Sequence, residues 1–241
     1  MAYFDGFIIP APTADTDAFL DHANRMDAIF LEFGATRVVE GWAGDVPHGQ
    51  VTDFYRAVQA KEDETIVFSW IEWPDKAARD AGMKRMESDE RMMAEPMPFD
   101  GKRMIFGGFA PLLDEGEGSA PGYINGFIVA VPDANKEAYV TMANFAAAVF
   151  REYGASRVVE AWGDDVPDGK VTDFRRAVQA TKDEAVVFSW IEWPSRQVHD
   201  DAWPKIMADE RMKPDPANMP FDGKRMIYGG FTTVVELEAG R

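Results

Sequence analysis

The chain has 241 residues, no cysteine and a formal net charge of −17. The absence of cysteine excludes disulfides, thiolate chemistry and cysteine-ligated metals, and it is compatible with a reducing cytoplasm, where we expect the protein to be located. The negative charge disfavours contact with phosphate backbones and anionic lipid surfaces. No apolar run approaches the roughly 20 residues that a membrane span needs. We therefore expect neither nucleic acid nor membrane as a partner.

In chain order, residues 3–9 form a short apolar strand that stops at Pro10, and apolar residues then recur at helical spacing until Gly34. A second strand is predicted at 37–42, an extended piece at 54–60 and the strongest strand at 65–73, before Pro74. A second helix follows at 75–93. Asp100-Gly101 then forms a turn that leads into a last strand beginning at 103.

The same series of elements is present twice. GATRVVE at 34–40 returns as GASRVVE at 154–160, and FSWIEWP at 68–74 returns unchanged at 188–194. MPFDGKRMI at 97–105 returns at 219–227. A repeat of this length is a whole domain rather than a solenoid unit. We predict a first repeat at residues 1–112, an acidic, glycine-rich linker at 113–122 and a second repeat at 123–237.

The order β-α-β-β-α-β predicts a ferredoxin-like α+β domain in each repeat. The third strand is apolar on both faces, with Phe68 and Trp70 on one and Val67, Ile71 and Trp73 on the other. Two helices can cover only one face, so the second repeat is the natural cover for the other. We predict two fused ferredoxin-like domains packed sheet to sheet as an intramolecular α+β barrel, a pseudo-dimer within one chain.

FSWIEWP, DER and MPFDGKRM followed by GGF resemble the motifs of the YbaA-like family of bacterial proteins, a domain of unknown function, and both repeats match along nearly their whole length. The resemblance implies the dimeric α+β barrel superfamily. That superfamily includes cofactor-free monooxygenases, lactone isomerases, haem enzymes and binding proteins, so the fold does not decide the function. Some family members carry an RNA-related label, which the charge of this chain does not support. The family implies no established catalytic residues.

Glu72 and Glu192 are the first candidates for catalysis, since strand alternation places each beside aromatic residues. If these faces point into the barrel, each repeat contributes carboxylates to an apolar pocket, where burial raises their pKa for acid–base work. The predicted ligand-binding residues are Glu40, Trp42, Phe68, Trp70, Glu160, Trp162, Phe188 and Trp190. The alternative is that the glutamates are exposed or pair with arginine; the available partners are Arg37, Arg56 and Arg103 with their repeats Arg157, Arg176 and Arg225.

Two further motifs have a structural and a functional interpretation. Asp53 with Arg56, repeated as Asp173 with Arg176, contacts substrate or forms an ion pair or turn cap. The FDGKRM segment is an anion clamp or a turn before the last strand. Since no histidine is repeated and none has metal-ligand spacing, we expect no metal and no cofactor.

The leading hypothesis is a protein that binds a small, largely apolar molecule in an aromatic, acidic barrel cavity, with room for cofactor-free oxygenase or isomerase chemistry. The alternative is a structural or interaction module whose barrel is filled by its own side chains. An open pocket around Glu72 or Glu192 separates the two. Association of two chains into a further homodimer stays open.

Overall fold

The computed structural model describes residues 1–94, 96–118, 120–213 and 218–240. The first repeat contains β1 (Tyr3–Pro12), α1 (Thr16–Glu32), β2 (Arg37–Asp45), α2 (Phe54–Ala57), β3 (Glu64–Trp73), α3 (Lys76–Met86) and β4 (Ile105–Gly116). The second repeat contains β5 (Tyr123–Pro132), α4 (Lys136–Glu152), β6 (Arg157–Asp165), α5 (Phe174–Ala177), β7 (Glu184–Trp193), α6 (Arg196–Ala208) and β8 (Ile227–Glu238).

The eight strands close into one antiparallel barrel in the order β1-β3-β2-β8-β5-β7-β6-β4. The prediction of two fused ferredoxin-like domains forming an α+β barrel is therefore confirmed. The sheets are also joined edge to edge. The start of β4 pairs with β1 of its own repeat, and its remainder pairs with β6 of the other. Strand β8 likewise pairs with β5 and β2. Closure leaves neither sheet with a free edge along these strands.

Two local predictions differ from the structure. The segment predicted as extended at 54–60 begins with the short helix α2, because Asp53 caps it by accepting a hydrogen bond from the Arg56 N–H at 2.8 Å. Strand β4 continues to Gly116, four residues into the predicted linker. It continues because its acidic end lies along β6, where Asp114 meets Arg157 at 2.7 Å.

The barrel interior is filled by aromatic rings from both repeats. Phe68 stacks on Phe188 with ring centroids 4.6 Å apart, and Trp70 stacks on Trp190 at the same separation. Phe4 meets Trp190 edge to face, and all five rings are fully buried. Offset and edge-to-face arrangements are the favourable ones for aromatic pairs. The rings expected to line the predicted cavity therefore pack against one another.

The helices cover the outer face of the barrel. Val67, Ile71 and Trp73 of β3 point outward into the helix layer, as their alternation with Phe68 and Trp70 predicts. In the second repeat one continuous apolar cluster joins α4 and α6 to the sheet. In the first repeat the corresponding layer is divided into two clusters, one around Trp73 and one around Phe19.

Candidate functional site

Glu72 and Glu192 meet two arginines at one end of the barrel interior. Arg37 donates two hydrogen bonds to Glu192, at 2.9 and 3.0 Å, and one to Glu72 at 3.0 Å. Arg157 donates two to Glu72, at 2.7 and 3.1 Å. Each glutamate therefore pairs most fully with the arginine of the other repeat. The indole N–H of Trp70 donates to Glu72, and that of Trp190 donates to Glu192.

This network favours the arginine-paired interpretation of the glutamates. Burial alone would raise the pKa of Glu72, but the charges and hydrogen bonds of Arg157 and Arg37 hold its pKa below the ordinary value. The expectation of a raised pKa is therefore wrong for Glu72. Gly118 of the connecting segment lies against the same arginines, since a Cβ there would collide with the guanidinium groups of Arg37 and Arg157. The network lies under the segment that joins the repeats.

Glu40 and Trp42, which were predicted to bind ligand, lie on the opposite side of the sheet from Glu72. Val39 and Gly41 of β2 face the barrel interior, so Glu40 and Trp42 face outward, beneath α1. Trp42 packs edge to face against Phe19 with ring centroids 5.5 Å apart. The expectation that Glu40 and Trp42 share a barrel pocket with Trp70 is wrong, because alternation along β2 places them on the helix-covered face.

The equivalent residues of the second repeat, Glu160 and Trp162, also lie on the helix-covered face. Glu160 lies opposite Ser189, and Trp162 joins the helix-layer cluster, where Lys136 lies over its ring at 4.6 Å. Of the predicted ligand-binding set, the interior therefore holds Phe68, Trp70, Phe188 and Trp190, whereas Glu40, Trp42, Glu160 and Trp162 belong to the two helix layers.

Beneath α1, Glu40 lies near a second buried carboxyl group, that of Asp27. Asp27 is 3% exposed and Glu40 is 6% exposed, and one oxygen of each lacks a hydrogen-bond partner within the described part of the chain. Burial raises the pKa of Glu40 to about 8, and a hydrogen bond from Ser69 only partly offsets this. Burial also raises the pKa of Asp27, and the charge of Glu40 raises it further. Unsatisfied buried carboxyl groups are rare in stable cores.

The second repeat satisfies the equivalent glutamate. Tyr139, which replaces Phe19, donates its hydroxyl hydrogen bond to Glu160 at 2.6 Å. Burial still raises the pKa of Glu160 to about 7, although the bond from Tyr139 lowers it. Ala147 replaces Asp27 and belongs to the continuous apolar cluster. Two substitutions therefore distinguish a closed helix layer in the second repeat from one in the first repeat that contains a carboxyl pair.

Asp53 and Asp173 each stabilise the loop that precedes a short helix, α2 and α5 respectively. The Asp53 carboxylate accepts hydrogen bonds from the backbone N–H groups of Arg56 and Gly49, at 2.8 and 3.1 Å, and Arg56 donates to the Gly49 carbonyl at 2.7 Å. Asp173 and Arg176 repeat these contacts in the second half. The geometry favours the turn-cap interpretation of both pairs.

In the FDGKRM segment, Arg103 is held by Glu64 and Asp100, at 2.5 and 2.9 Å. Arg225 holds the equivalent Glu184 at 2.7 Å. These bonds favour the turn interpretation for the arginines. Within the described ranges, no group of three or more His, Cys, Asp or Glu side chains is arranged to hold a metal. No described helix has the length and apolar character to cross a membrane.

Sequence reasoning missed Asp27 and Tyr139. The signal for Asp27 was its spacing, because Phe19, Ala23 and Asp27 are four residues apart and so lie on one helix face. An aspartate on that apolar stripe needs a partner or a function. The signal for Tyr139 was the difference between repeats at a core position, phenylalanine in one and tyrosine in the other.

The profile of a family described as Protein of unknown function (DUF1428) matches residues 2–101 and again residues 122–223. The Uncharacterized protein YbaA of Escherichia coli K12 is 60% identical over 114 residues, which cover 47% of this chain and 97% of that protein. The YbaA protein of Shigella flexneri matches to the same extent. These relatives have the length of one repeat, which confirms a tandem duplication of a YbaA-like domain.

Solved structures share the whole fold. An anthrone oxidase-like protein aligns over 100% of this chain and 94% of its own, with a TM-score of 0.58 and 12% identity. A Lactobacillus acidophilus protein with a provisional monooxygenase assignment aligns over 99% and 97%, with a TM-score of 0.59 and 10% identity. At this identity the likeness establishes the fold, which is known to host many unrelated functions.

Proposed function

This chain belongs to the DUF1428 family, whose function is unknown, and we propose that it binds a small, largely apolar molecule beneath α1 of the first repeat and transfers a proton from one atom of that molecule to another. The observation that carries the proposal is the Asp27–Glu40 pair. It is buried, it lacks hydrogen-bond partners at one oxygen of each group, and the pKa of Glu40 is raised to about 8. Strongly perturbed titratable groups concentrate at functional sites.

The pair has the properties of an acid–base couple. Two neighbouring carboxyl groups in apolar surroundings resist simultaneous ionisation, so around and above pH 8, where Glu40 loses its proton, they hold one proton between them. The ionised group is then a base and the protonated group an acid. A catalytic pKa near the working pH gives the most efficient proton transfer. The Ser69 hydroxyl, which bonds to Glu40, orients that carboxyl group from β3.

The chemistry that suits this pair is the isomerisation of a neutral carbonyl compound. The ionised carboxylate takes the proton from a carbon next to the carbonyl, and the electrons of the C–H bond pass into an enolate. The protonated carboxyl then gives its proton to a different carbon of the same molecule. Atoms and charges balance without a cofactor. Oxygenation would begin with the same proton abstraction and would need dioxygen as a second substrate.

The surroundings favour a neutral, apolar ligand over a charged one. The cluster next to the pair contains Ile9, Phe19, Ala23 and Val67, with Trp42 packed against it. A carboxylate ligand would add a third acidic group to a site that already resists two. Phe99 covers the cluster from outside, with its ring centroid 6.0 Å from that of Phe19. Entry of a ligand therefore requires displacement of α1 or of the Phe99 segment.

The test is deuterium exchange into neutral apolar ketones in D2O, followed by proton NMR. We expect the protein to accelerate exchange next to the carbonyl of at least one ketone in a size-graded panel. Glu40→Gln should lower that rate by about a hundredfold or more, the usual worth of a general base. Phe19→Tyr with Asp27→Ala, which copies the second repeat, should lower it similarly.

Glu160→Gln is the matched control, because it alters the equivalent carboxyl group in the second repeat and should leave the rate unchanged. Thermal melts should establish that every variant is folded. Equal rates for the wild-type protein and Glu40→Gln, or a whole panel without accelerated exchange, would remove the acid–base proposal.

A second candidate function is that of a structural or interaction module without catalysis. The filled barrel and the arginine-paired Glu72 and Glu192 support it. It predicts that no ketone in the panel changes the protein's thermal stability, whereas the acid–base proposal predicts stabilisation by the ketones that undergo exchange.

A further inference from the structure

We propose that the groove between the turn before β4 and the loop before α5 binds a small organic anion with an apolar body, such as a medium-chain carboxylate. The groove joins the two repeats. The first contributes Lys102, Met104 and Phe106, and the second contributes Pro167, Lys170 and Val171. Its volume of about 380 Å³ lies within the roughly 300–1,000 Å³ of small-molecule sites.

Two exposed lysines give the groove its ligand preference. Lys102 and Lys170 are exposed, and neither ammonium group lies within 4.0 Å of a carboxylate of the described residues. Asp168 also lines the groove and is exposed, whereas the charge of the buried Asp173 carboxylate is balanced by its ion pair with Arg176 at 3.3 Å. The exposed charges of the groove therefore sum to a positive value in a chain whose net charge is −17. One carboxylate would neutralise that excess.

The rest of the lining suits an apolar body. Phe106 is 43% exposed and Val171 is 38% exposed, and these two lie among the most exposed large apolar side chains of the described chain. Both line the groove with Met104 and Pro167. An alkyl chain laid along them would be shielded from water while its carboxylate meets the lysines.

The pseudo-symmetric position differs at two charged residues of its loop. Lys224 and Tyr228 repeat Lys102 and Phe106, but Gln50 stands where the other loop has Lys170. His48 stands in the place of Asp168, and its ring contacts Tyr55 with centroids 4.7 Å apart. The acid is lost together with the lysine, so the exposed charges of the two grooves are similar, but only the groove with Lys102 and Lys170 offers two ammonium groups to one carboxylate, and we expect one anion site per chain rather than two.

The test is titration calorimetry with octanoate at low ionic strength, on the intact chain. We expect saturable binding at one site per chain in the millimolar range, weakened by added salt. Lys170→Gln, which copies Gln50, should weaken binding by about two- to fivefold, the worth of one exposed ion pair. Gln50→Lys should add a second site and raise the stoichiometry toward two.

Lys84→Gln is the matched control, since it removes an exposed charge from α3, outside the groove, and should leave octanoate affinity unchanged. Octanol tests the apolar part alone and should bind more weakly than octanoate. The proposal is overturned if octanoate does not bind saturably, if Lys170→Gln and Lys84→Gln behave alike, or if octanol binds as well as octanoate. The exchange reaction at Asp27–Glu40 should be unaffected by Lys170→Gln, so the two proposals can fail separately.

Discussion

Arg37 of the first repeat forms a two-bond ion pair with Glu192 of the second, with N–O distances of 2.9 and 3.0 Å. Arg157 and Glu72 form the reciprocal pair. Glu192 is fully buried and Arg37 is 5% exposed. A bidentate pair at this depth fixes the orientation of both groups, so the two reciprocal pairs hold the two repeats in one alignment.

We expect Glu192→Gln to lower the free energy of unfolding by about 3 kcal/mol, because it leaves the Arg37 guanidinium buried with less negative charge around it. Replacing both partners, as Arg37→Met with Glu192→Met, should recover part of that loss, since a buried ion pair is often no more stable than apolar residues of similar size. Glu72 keeps its bonds from Arg157, whereas Glu236 loses the bond that Arg37 donates to it. Urea unfolding measures both. Glu115→Gln, at an exposed position in β4, is the control and should change stability by no more than about 0.5 kcal/mol. A similar loss in the double variant and in Glu192→Gln would contradict this account.

Trp70→Ala should cost about 3–5 kcal/mol of stability, since it empties a fully buried site at the centre of the barrel. The loss includes the stacking of Trp70 on Trp190 and the indole hydrogen bond to Glu72. Guanidinium unfolding followed by circular dichroism gives the value. Trp42→Ala is the comparison, and it should cost less because Trp42 is only partly buried. Equal costs would mean that the barrel interior is less tightly packed than described.

Stability should fall as pH rises through neutrality. Burial raises the pKa of Glu40 to about 8 and that of Glu160 to about 7, above the ordinary value of about 4.3. At a pH between about 4.3 and the pKa in the folded protein, the folded state binds more protons than the unfolded state. Each group's contribution to stability is therefore complete below about pH 4 and is lost as the pH rises through its folded pKa. One such proton changes stability by at most about 1.4 kcal/mol per pH unit.

Glu40→Gln isolates the first of these groups. Its stability should be closest to that of the wild-type protein near pH 4 and should exceed it by a growing margin from pH 5 to pH 8, because glutamine carries no charge to bury. Urea unfolding at pH 5, 6, 7 and 8 gives both profiles. Parallel profiles for the two proteins would show that Glu40 is not the titrating group.

We expect no appreciable RNA binding at physiological salt. Such binding draws on the release of counterions by clustered lysines and arginines, and this chain has 25 Lys and Arg against 42 Asp and Glu. Filter binding with a mixed-sequence single-stranded RNA, repeated at low and high salt, checks this. Micromolar affinity that weakens steeply with salt would contradict the prediction.

The candidate site was only partly predictable. Alternation identified the faces of β3 correctly, because a buried strand places successive side chains on opposite sides. The same rule applied to β2 could not say which face was interior, since Glu40 with Trp42 and Val39 with Gly41 both fit a buried side. The expected rise in pKa covered Glu72 as well as Glu40 and Glu160, whereas the structure raises it at Glu40 and Glu160 and lowers it at Glu72. The decisive factor was the position of Arg157, a residue 85 positions away in sequence from Glu72.

The sequence by itself determined the duplication, the order of elements in each repeat and the need for a second sheet to cover apolar strands. These follow from periodicity and from matching motifs, which are local properties of the chain. Only the tertiary structure decided that Arg37 reaches Glu192, that Asp27 lies near Glu40 and that Lys102 shares a groove with Lys170. Each of these pairs depends on how separate elements or repeats are aligned, and that alignment is set by the packing of the aromatic core and the pairing of β2 with β8 and of β4 with β6.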